Sequence, residues 1–198
     1  MRITETSTQL KIESDYHPDL PKRARNLAGN WNGEHWIFDI RDKDRVEKMY
    51  RTIYGYFGDL ESVTTVNVQL IASNDCSESR RGIFFAGRCI ATASGRDSGA
   101  RLGEGVIIEN GEAMSGGSMK NWITRITEDA IIEIKDVPLS KVQQAIKKGN
   151  RKWAEIKIIS EPDFNIFELE KERELIMARL VEIDEILAAH AEPTAPGI

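Results

Sequence analysis

The residues best suited to chemistry in this 198-residue chain lie between Gly95 and Trp122, GRDSGARLGEGVIIENGEAMSGGSMKNW, a stretch that holds seven of the fifteen glycines. Two loop-like runs, GRDSGARLG and SGGSMKNW, set Arg96, Arg101 and Lys120 beside small and hydroxyl residues. Bare backbone plus a few fixed cations lets a protein approach an anion closely. Arginine forks onto a phosphate through two hydrogen bonds. Ser98, Ser115, Ser118 and Asn121 add neutral donors, and Trp122 or Phe84 offers a ring to stack on a base. The expected ligand is therefore phosphate-bearing. The same residues also fit tight β-turns in which glycine supplies a positive φ and Asp97 pairs with Arg96 or Arg101.

Standard nucleotide fingerprints are missing. No GxxxxGK[ST] occurs, and the glycine spacing is not a GxGxxG at a strand-to-helix turn, because the following VIIE reads as a strand. Catalytic patterns are equally thin. His17 precedes a proline, His35 sits among aromatics, His190 ends a helical run, and none has a cysteine or carboxylate partner at motif spacing. GxSxG is absent. Asp97 or Glu104 alone is a weak acid–base candidate, and no metal-ligand spacing appears. The expectation is non-catalytic binding with no cofactor and no metal.

Net charge is −5, which disfavours a simple polycation for nucleic acid. The charge is unevenly placed: residues 139–160 hold six Lys+Arg against one acidic residue, and residues 161–198 hold three against ten. Lys147, Lys148, Arg151, Lys152 and Lys157, with Trp153 among them, form a second candidate site, for DNA or RNA. No apolar run approaches membrane-spanning length and no secretory h-region is visible, so no membrane partner is expected. Cys76 and Cys89 form no framework, and the expected location is the cytoplasm.

The elements that must position these groups read as α+β. Leu10 and Ile12 share a strand face in 1–15. A helix follows Pro18 or Pro21 and closes at Gly29. Asn32-Gly33 signals a two-residue hairpin between Trp31 and Trp36, and Asp42 is the N-cap of a helix ending at Gly55. From Val63 the chain turns β-rich. Strands are expected in TTVNVQLIA, GIFFAGRCIATA, VIIE, WITRIT and AIIEIKDV, with NDCSESRR a polar loop. Asn110-Gly111 signals another hairpin, between VIIE and EAMS. LSKVQQAIKKG is a short helix with Ser140 as N-cap and Gly149 as cap, and NRKWAEIKIIS a last strand. Ile166, Leu169, Ile176, Leu180, Ile183 and Leu187 keep 3-4 spacing, interrupted by Arg173, in an amphipathic helix that either packs on its own domain or oligomerises as a coiled coil. The expected domains are 1–58, 63–160 and 163–190, followed by a disordered tail, 191–198.

The pattern HPDLPKRARNLAGNWNGEHWIFDIRDKDRVEKMYRTIYG resembles the HARP-type module, a helix ending in glycine, an aromatic hairpin and a second helix. That family accompanies DNA-remodelling and mobile-element proteins, so the resemblance implies phosphate contacts from Lys22, Arg23 and Arg25. In loop character and mobile-element flavour the chain loosely resembles phage anti-defence sponges of the Thoeris-inhibiting type, which sequester nucleotide signals. That likeness implies a phage or mobile-element protein acting in the host cytoplasm. Three partner classes follow: a nucleotide-like small molecule, a nucleic acid, or further copies of the chain in a homo-oligomer through 163–190, the chain then acting as an interaction adaptor.

Overall fold

A computed structural model describes residues 1–148, 153–160 and 166–190. The expectations for Gly149, Arg151, Lys152 and the tail 191–198 lie outside them. The chain forms two units, Met1–Asp163 and Phe164–Ile198. The architecture is mixed α+β, with antiparallel sheets.

The first unit is built around two hydrophobic cores. The first begins with β1 (Arg2–Glu5) and β2 (Gln9–Glu13), whose Leu10 and Ile12 alternate inward and are fully buried. α1 (Leu20–Asn26) carries Pro21 in its opening turn and presents Leu20 and Ala24 to the core. β3 (Asn30–Trp31), β4 (Trp36–Asp39) and α2 (Lys43–Tyr54) follow. The aromatic hairpin is not a free-standing ribbon between two helices. It is half of a four-stranded sheet ordered β1-β2-β4-β3, because β2 pairs with β4 from Gln9↔Asp39 to Ile12↔Trp36. On α2, Val46, Met49, Tyr50 and Ile53 recur at helical spacing and are all buried, and Gly55 closes the helix at φ 91°.

Two local expectations are corrected here. Asn32-Gly33 is not a two-residue turn: four residues, 32–35, join the strands, with Asn32 Oδ1 accepting the N–H groups of Glu34 and His35 at 3.0 and 2.9 Å. Asp42 precedes α2 but caps no backbone group, since its carboxylate pairs with Arg45 at 2.7 Å. At the end of α1 the left-handed residue is Ala28, and Gly29 follows where a Cβ would lie 2.4 Å from the Phe38 ring.

Around the second core lie ten further strands among the described residues, where five and a last one were expected. β5 (Thr65–Ala72) buries Val66, Val68, Leu70 and Ala72. β6 (Cys76–Ser79) takes the place of the expected polar loop. GIFFAGRCIATA is two strands, β7 (Ile83–Phe85) and β8 (Arg88–Ala93), joined through Ala86 and Gly87, both at positive φ as a two-residue primed turn requires. β9 (Ala100–Leu102), β10 (Val106–Asn110), β11 (Ala113–Gly117), β12 (Trp122–Ile126) and β13 (Ile131–Pro138) lead to α3 (Leu139–Lys147) and β14 (Ala154–Ile158). Three sheets result, ordered β10-β13-β5-β14, β11-β12-β6 and β7-β8-β9.

Asn110-Gly111 therefore makes no hairpin. β10 pairs with β13 and β11 with β12, so the dipeptide carries the chain from one sheet to another, with Asn110 Nδ2 donating to the Asp129 carbonyl at 2.8 Å. Ser140 is not the N-cap of α3, since Pro138 precedes the helix and Ser140 lies inside its first turn. Trp153, expected beside the basic residues as a stacking group, packs half-buried on the second core.

The second unit contributes α4 (Ile166–His190). No helix among the described residues is long and apolar enough to cross a membrane.

Candidate functional site

The glycine-rich stretch turns its polar groups on itself. Ser98 Oγ accepts the N–H groups of Ser94 and Gly95 at 3.1 and 3.2 Å and lies 3.0 and 2.8 Å from the Gly95 and Gly99 carbonyls. Ser115 Oγ accepts the Gly99 N–H at 3.0 Å and donates to the Arg96 carbonyl at 2.7 Å. A hydroxyl has one proton to give, so both serines close loops instead of facing an anion. Ser118 and Asn121 form a four-residue turn: Ser118 N–H donates to the Asn121 carbonyl, and the Asn121 N–H to Ser118 Oγ, each at 3.1 Å. Arg96 grips Asp97 at 2.8 Å, which holds the Asp97 carboxyl below the usual carboxylate range. Arg101 stands exposed on β9, Lys120 exposed in the Ser118–Asn121 turn, and Trp122 half-buried opposite Gly117. Ser115 thus brings the Arg96 loop to the β11–β12 hairpin, while Phe84 lies elsewhere.

Phe84 belongs to a hollow of about 260 Å³ where the two cores meet. The first core supplies Tyr54 and Tyr56, on either side of the Gly55 helix cap, and the Asp15–Tyr16 segment beyond β2. The β7–β8 hairpin of the second core supplies Phe84, Gly87, Arg88 and Cys89, and Glu104 completes the wall. Gly87 makes the meeting possible. A Cβ there would lie 2.6 Å from the Ile53 carbonyl oxygen and 3.1 Å from Tyr54 Cα, so only glycine lets this turn rest on the end of α2.

Hydrogen bonds and ring contacts fix the walls. Tyr54 Oη donates to the Asp15 carbonyl at 2.5 Å, and its ring stacks on Tyr50 with centroids 5.8 Å apart. The Arg88 guanidinium donates to the Glu104 carbonyl at 2.9 Å and the Asp136 carbonyl at 3.3 Å. His17 lies edge-on to Phe84 and Tyr54, at centroid distances of 5.1 and 5.9 Å, and its Nδ1 accepts the Asp19 N–H at 3.2 Å. Asp15 and Tyr16 also wall a more apolar hollow of about 280 Å³ with Leu20, Pro21, Arg25, Trp31 and Trp36.

The electrostatics favour neutral forms around the aromatic hollow. Burial lowers the His17 pKa, partly opposed by Asp19. Burial raises the Tyr54 and Tyr56 phenols and the Cys89 thiol, and Asp15 adds to all three shifts. Tyr50, behind the wall, is pushed up to about 12 by burial. The Ser14 hydroxyl eases that shift slightly, yet it makes no hydrogen bond of good geometry to the phenol. Beside the Asp15 and Glu104 carboxylates and the Arg88 guanidinium, the hollow thus offers ring faces, phenol hydroxyls and a protonated thiol at neutral pH.

A linkage effect follows for His17. Its folded pKa lies below the unfolded value, so the unfolded chain binds more protons between the two. The contribution is fully present above about pH 6.5 and is lost as pH falls through the lowered folded pKa. His17→Asn keeps an acceptor for the Asp19 N–H and removes the titration. In urea melts at pH 7.5 and 5.5, the variant is expected to lose less stability on acidification than the parent chain; an equal loss would place the acid sensitivity elsewhere.

Other candidates are more dispersed. Lys22, Arg23 and Arg25 are exposed on α1, and Lys147 and Lys148 are exposed at the end of α3. A broader cleft of about 630 Å³ runs between α2 and α3, but Arg51 already pairs with Glu47 there at 2.8 Å, and Lys141 Nζ donates to the Thr52 carbonyl at 2.7 Å. No group of three or more His, Cys, Asp or Glu that could hold a metal occurs among the described residues.

Comparison with known proteins adds no precedent: no family model matches the chain, nor does any curated protein or solved structure. Phe84 was among the residues expected from the sequence to offer a ring; Tyr16, Tyr54 and Tyr56, which line the same hollow, were not. The available signal was aromatic residues flanking a helix-capping glycine, Tyr54-Gly55-Tyr56, which reads as core chemistry until a second core is set against it.

Proposed function

We propose that this chain is a non-catalytic binding protein that captures a nucleotide-like small molecule, with the ring held in the hollow between Tyr16, Tyr54, Tyr56 and Phe84. The convergence of four aromatic side chains from both cores on one concavity carries this reading. Its volume, about 260 Å³, lies just under the range of about 300–1,000 Å³ for drug-sized ligands, which suits one nucleoside-sized molecule. Rings stack on bases without needing a particular base. The Asp15 and Glu104 carboxylates would accept from amino or imino groups on the ring edge. Arg88 donates two bonds to carbonyls and retains further N–H groups for a phosphate. This reading moves the phosphate contact from Arg96 and Lys120 to Arg88. The anti-defence likeness fits the same behaviour, retention of a nucleotide signal without turnover.

The test is to incubate the full chain with a nucleotide mixture and a single-stranded oligonucleotide, remove unbound material, denature, and identify by mass spectrometry what was held. An unaltered nucleotide is expected. Tyr16 is exposed, so Tyr16→Ala should leave stability unchanged and weaken retention about tenfold or more, the scale of one ring–base stack. Arg96→Ala and Lys120→Ala should not weaken it. If those two abolish retention and Tyr16→Ala does not, the site lies on the glycine-rich loops. Salt-sensitive retention of the oligonucleotide alone would identify a nucleic-acid binder, and a chemically changed molecule would identify an enzyme.

A further inference from the structure

From Leu175 to Leu187, α4 exposes eight large apolar side chains. So large an apolar surface is normally covered. We propose that α4 assembles with other copies of this chain into a parallel bundle of more than two strands. This inference is independent of what the aromatic hollow binds.

The heptad register selects the occupant. With Leu169, Ile176 and Ile183 at d, position a holds Ile166, Arg173, Leu180 and Leu187 in the sequence. The C-terminal half sets the preference: Leu180 and Leu187 at a with Ile176 and Ile183 at d is the leucine-a, isoleucine-d combination that shifts preference from two strands to three or four, whereas Ile166 with Leu169 in the first heptad is the two-stranded combination. Met177 at e and Ile186 at g widen the apolar seam beyond what a two-stranded contact covers. Charge sets the direction. Between parallel neighbours, Arg179 at g, which pairs with Glu182 of its own helix at 2.5 Å, lies across from Asp184 at e of the next helix, and Arg173 at a lies beside a neighbouring Glu172 at g. An antiparallel pairing centred on Met177 would instead set Glu170 against Asp184. A membrane surface is a poor alternative, because residues 161–198 carry ten acidic residues against three basic ones.

Sedimentation equilibrium of the full chain at tens of micromolar tests the proposal. A mass of three or four times the 22.3 kDa chain is expected; a mass of one or two chains overturns it. Ile183→Lys should give a monomer with the circular dichroism of the remaining fold retained, and an unchanged assembly would overturn the role of α4. Exchanging the layers, with Leu180→Ile and Leu187→Ile combined with Ile176→Leu and Ile183→Leu, should yield two chains, because isoleucine at a with leucine at d favours pairs. An unchanged mass would overturn the a/d assignment. Arg179→Glu should weaken assembly severalfold, and adding Asp184→Lys should restore it. No effect from either change would overturn the parallel arrangement.

Discussion

Gly87→Ala is expected to destabilise the chain by about 3 kcal/mol and to abolish the nucleotide capture proposed for the aromatic hollow. Two costs combine at this position. Gly87 has φ 85°, and an L side chain in the left-handed region costs roughly 1–2 kcal/mol. Its new methyl would also lie 2.6 Å from the Ile53 carbonyl oxygen and 3.1 Å from Tyr54 Cα. Those are backbone atoms, so the strain cannot be relieved by turning a side chain, and overpacking of this kind adds about 1–3 kcal/mol. Relief by moving the β7–β8 turn off α2 would draw Phe84 away from Tyr54 and open the site. Gly99→Ala is the matched control: φ is 68° there, but nothing lies within 4 Å of the added atom, so only the conformational cost should appear and capture should survive. Urea melts and nucleotide retention on both variants check this. Equal, small losses for the two would mean that the cores do not meet at Gly87.

Thr124→Val is expected to cost about 2–4 kcal/mol, a large effect for a nearly isosteric change. Thr124 is fully buried. It lies on β12, yet its Oγ1 accepts the Ala93 N–H of β8 at 3.0 Å and donates to the Arg81 carbonyl ahead of β7 at 2.8 Å. One hydroxyl therefore joins two three-stranded sheets. Valine would leave a buried N–H without its acceptor, and removing one partner of a buried pair costs more than the bond itself contributes. Thr124→Ser keeps the hydroxyl and loses only a methyl, so it should cost much less. Thermal or urea unfolding of the pair decides the point; similar losses for valine and serine would assign the effect to packing.

Short-range physics was legible in the chain. Leu10 and Ile12, or Val66, Val68 and Leu70, alternate because one strand face is buried, and Gly55 ends α2 in the left-handed conformation that glycine adopts most easily. Pairing between distant strands was not. Asn110-Gly111 has the composition of a hairpin turn, and what overrides it lies about twenty residues on, where β13 claims β10 as its partner. Likewise Asn32-Gly33 yields to an Asx-type closure by Asn32 onto His35. The candidate site followed the same division. Serine, glycine and arginine between Gly95 and Trp122 looked like anion chemistry, but the geometry of Ser98 and Ser115 directs that chemistry to the loops' own backbone. The aromatic hollow is formed by residues far apart in sequence, and no window of the sequence contains it.

The position of the two cores along the chain bears on how the molecule is made. Every buried member of the first core lies at or before Tyr54, and the hydrophobic groups packed against it end at Phe57. That half can consolidate while the remainder is still being synthesised, as N-terminal folding units generally do. The second half cannot. β5 emerges early but pairs with β13 and with β14, whose Ile158 lies opposite Val68. An apolar strand must therefore wait for about sixty-five more residues for β13 and about ninety for β14, several seconds at typical translation rates. During that interval β5 is the segment most exposed to mispairing, and truncated chains ending before β13 are expected to aggregate through it.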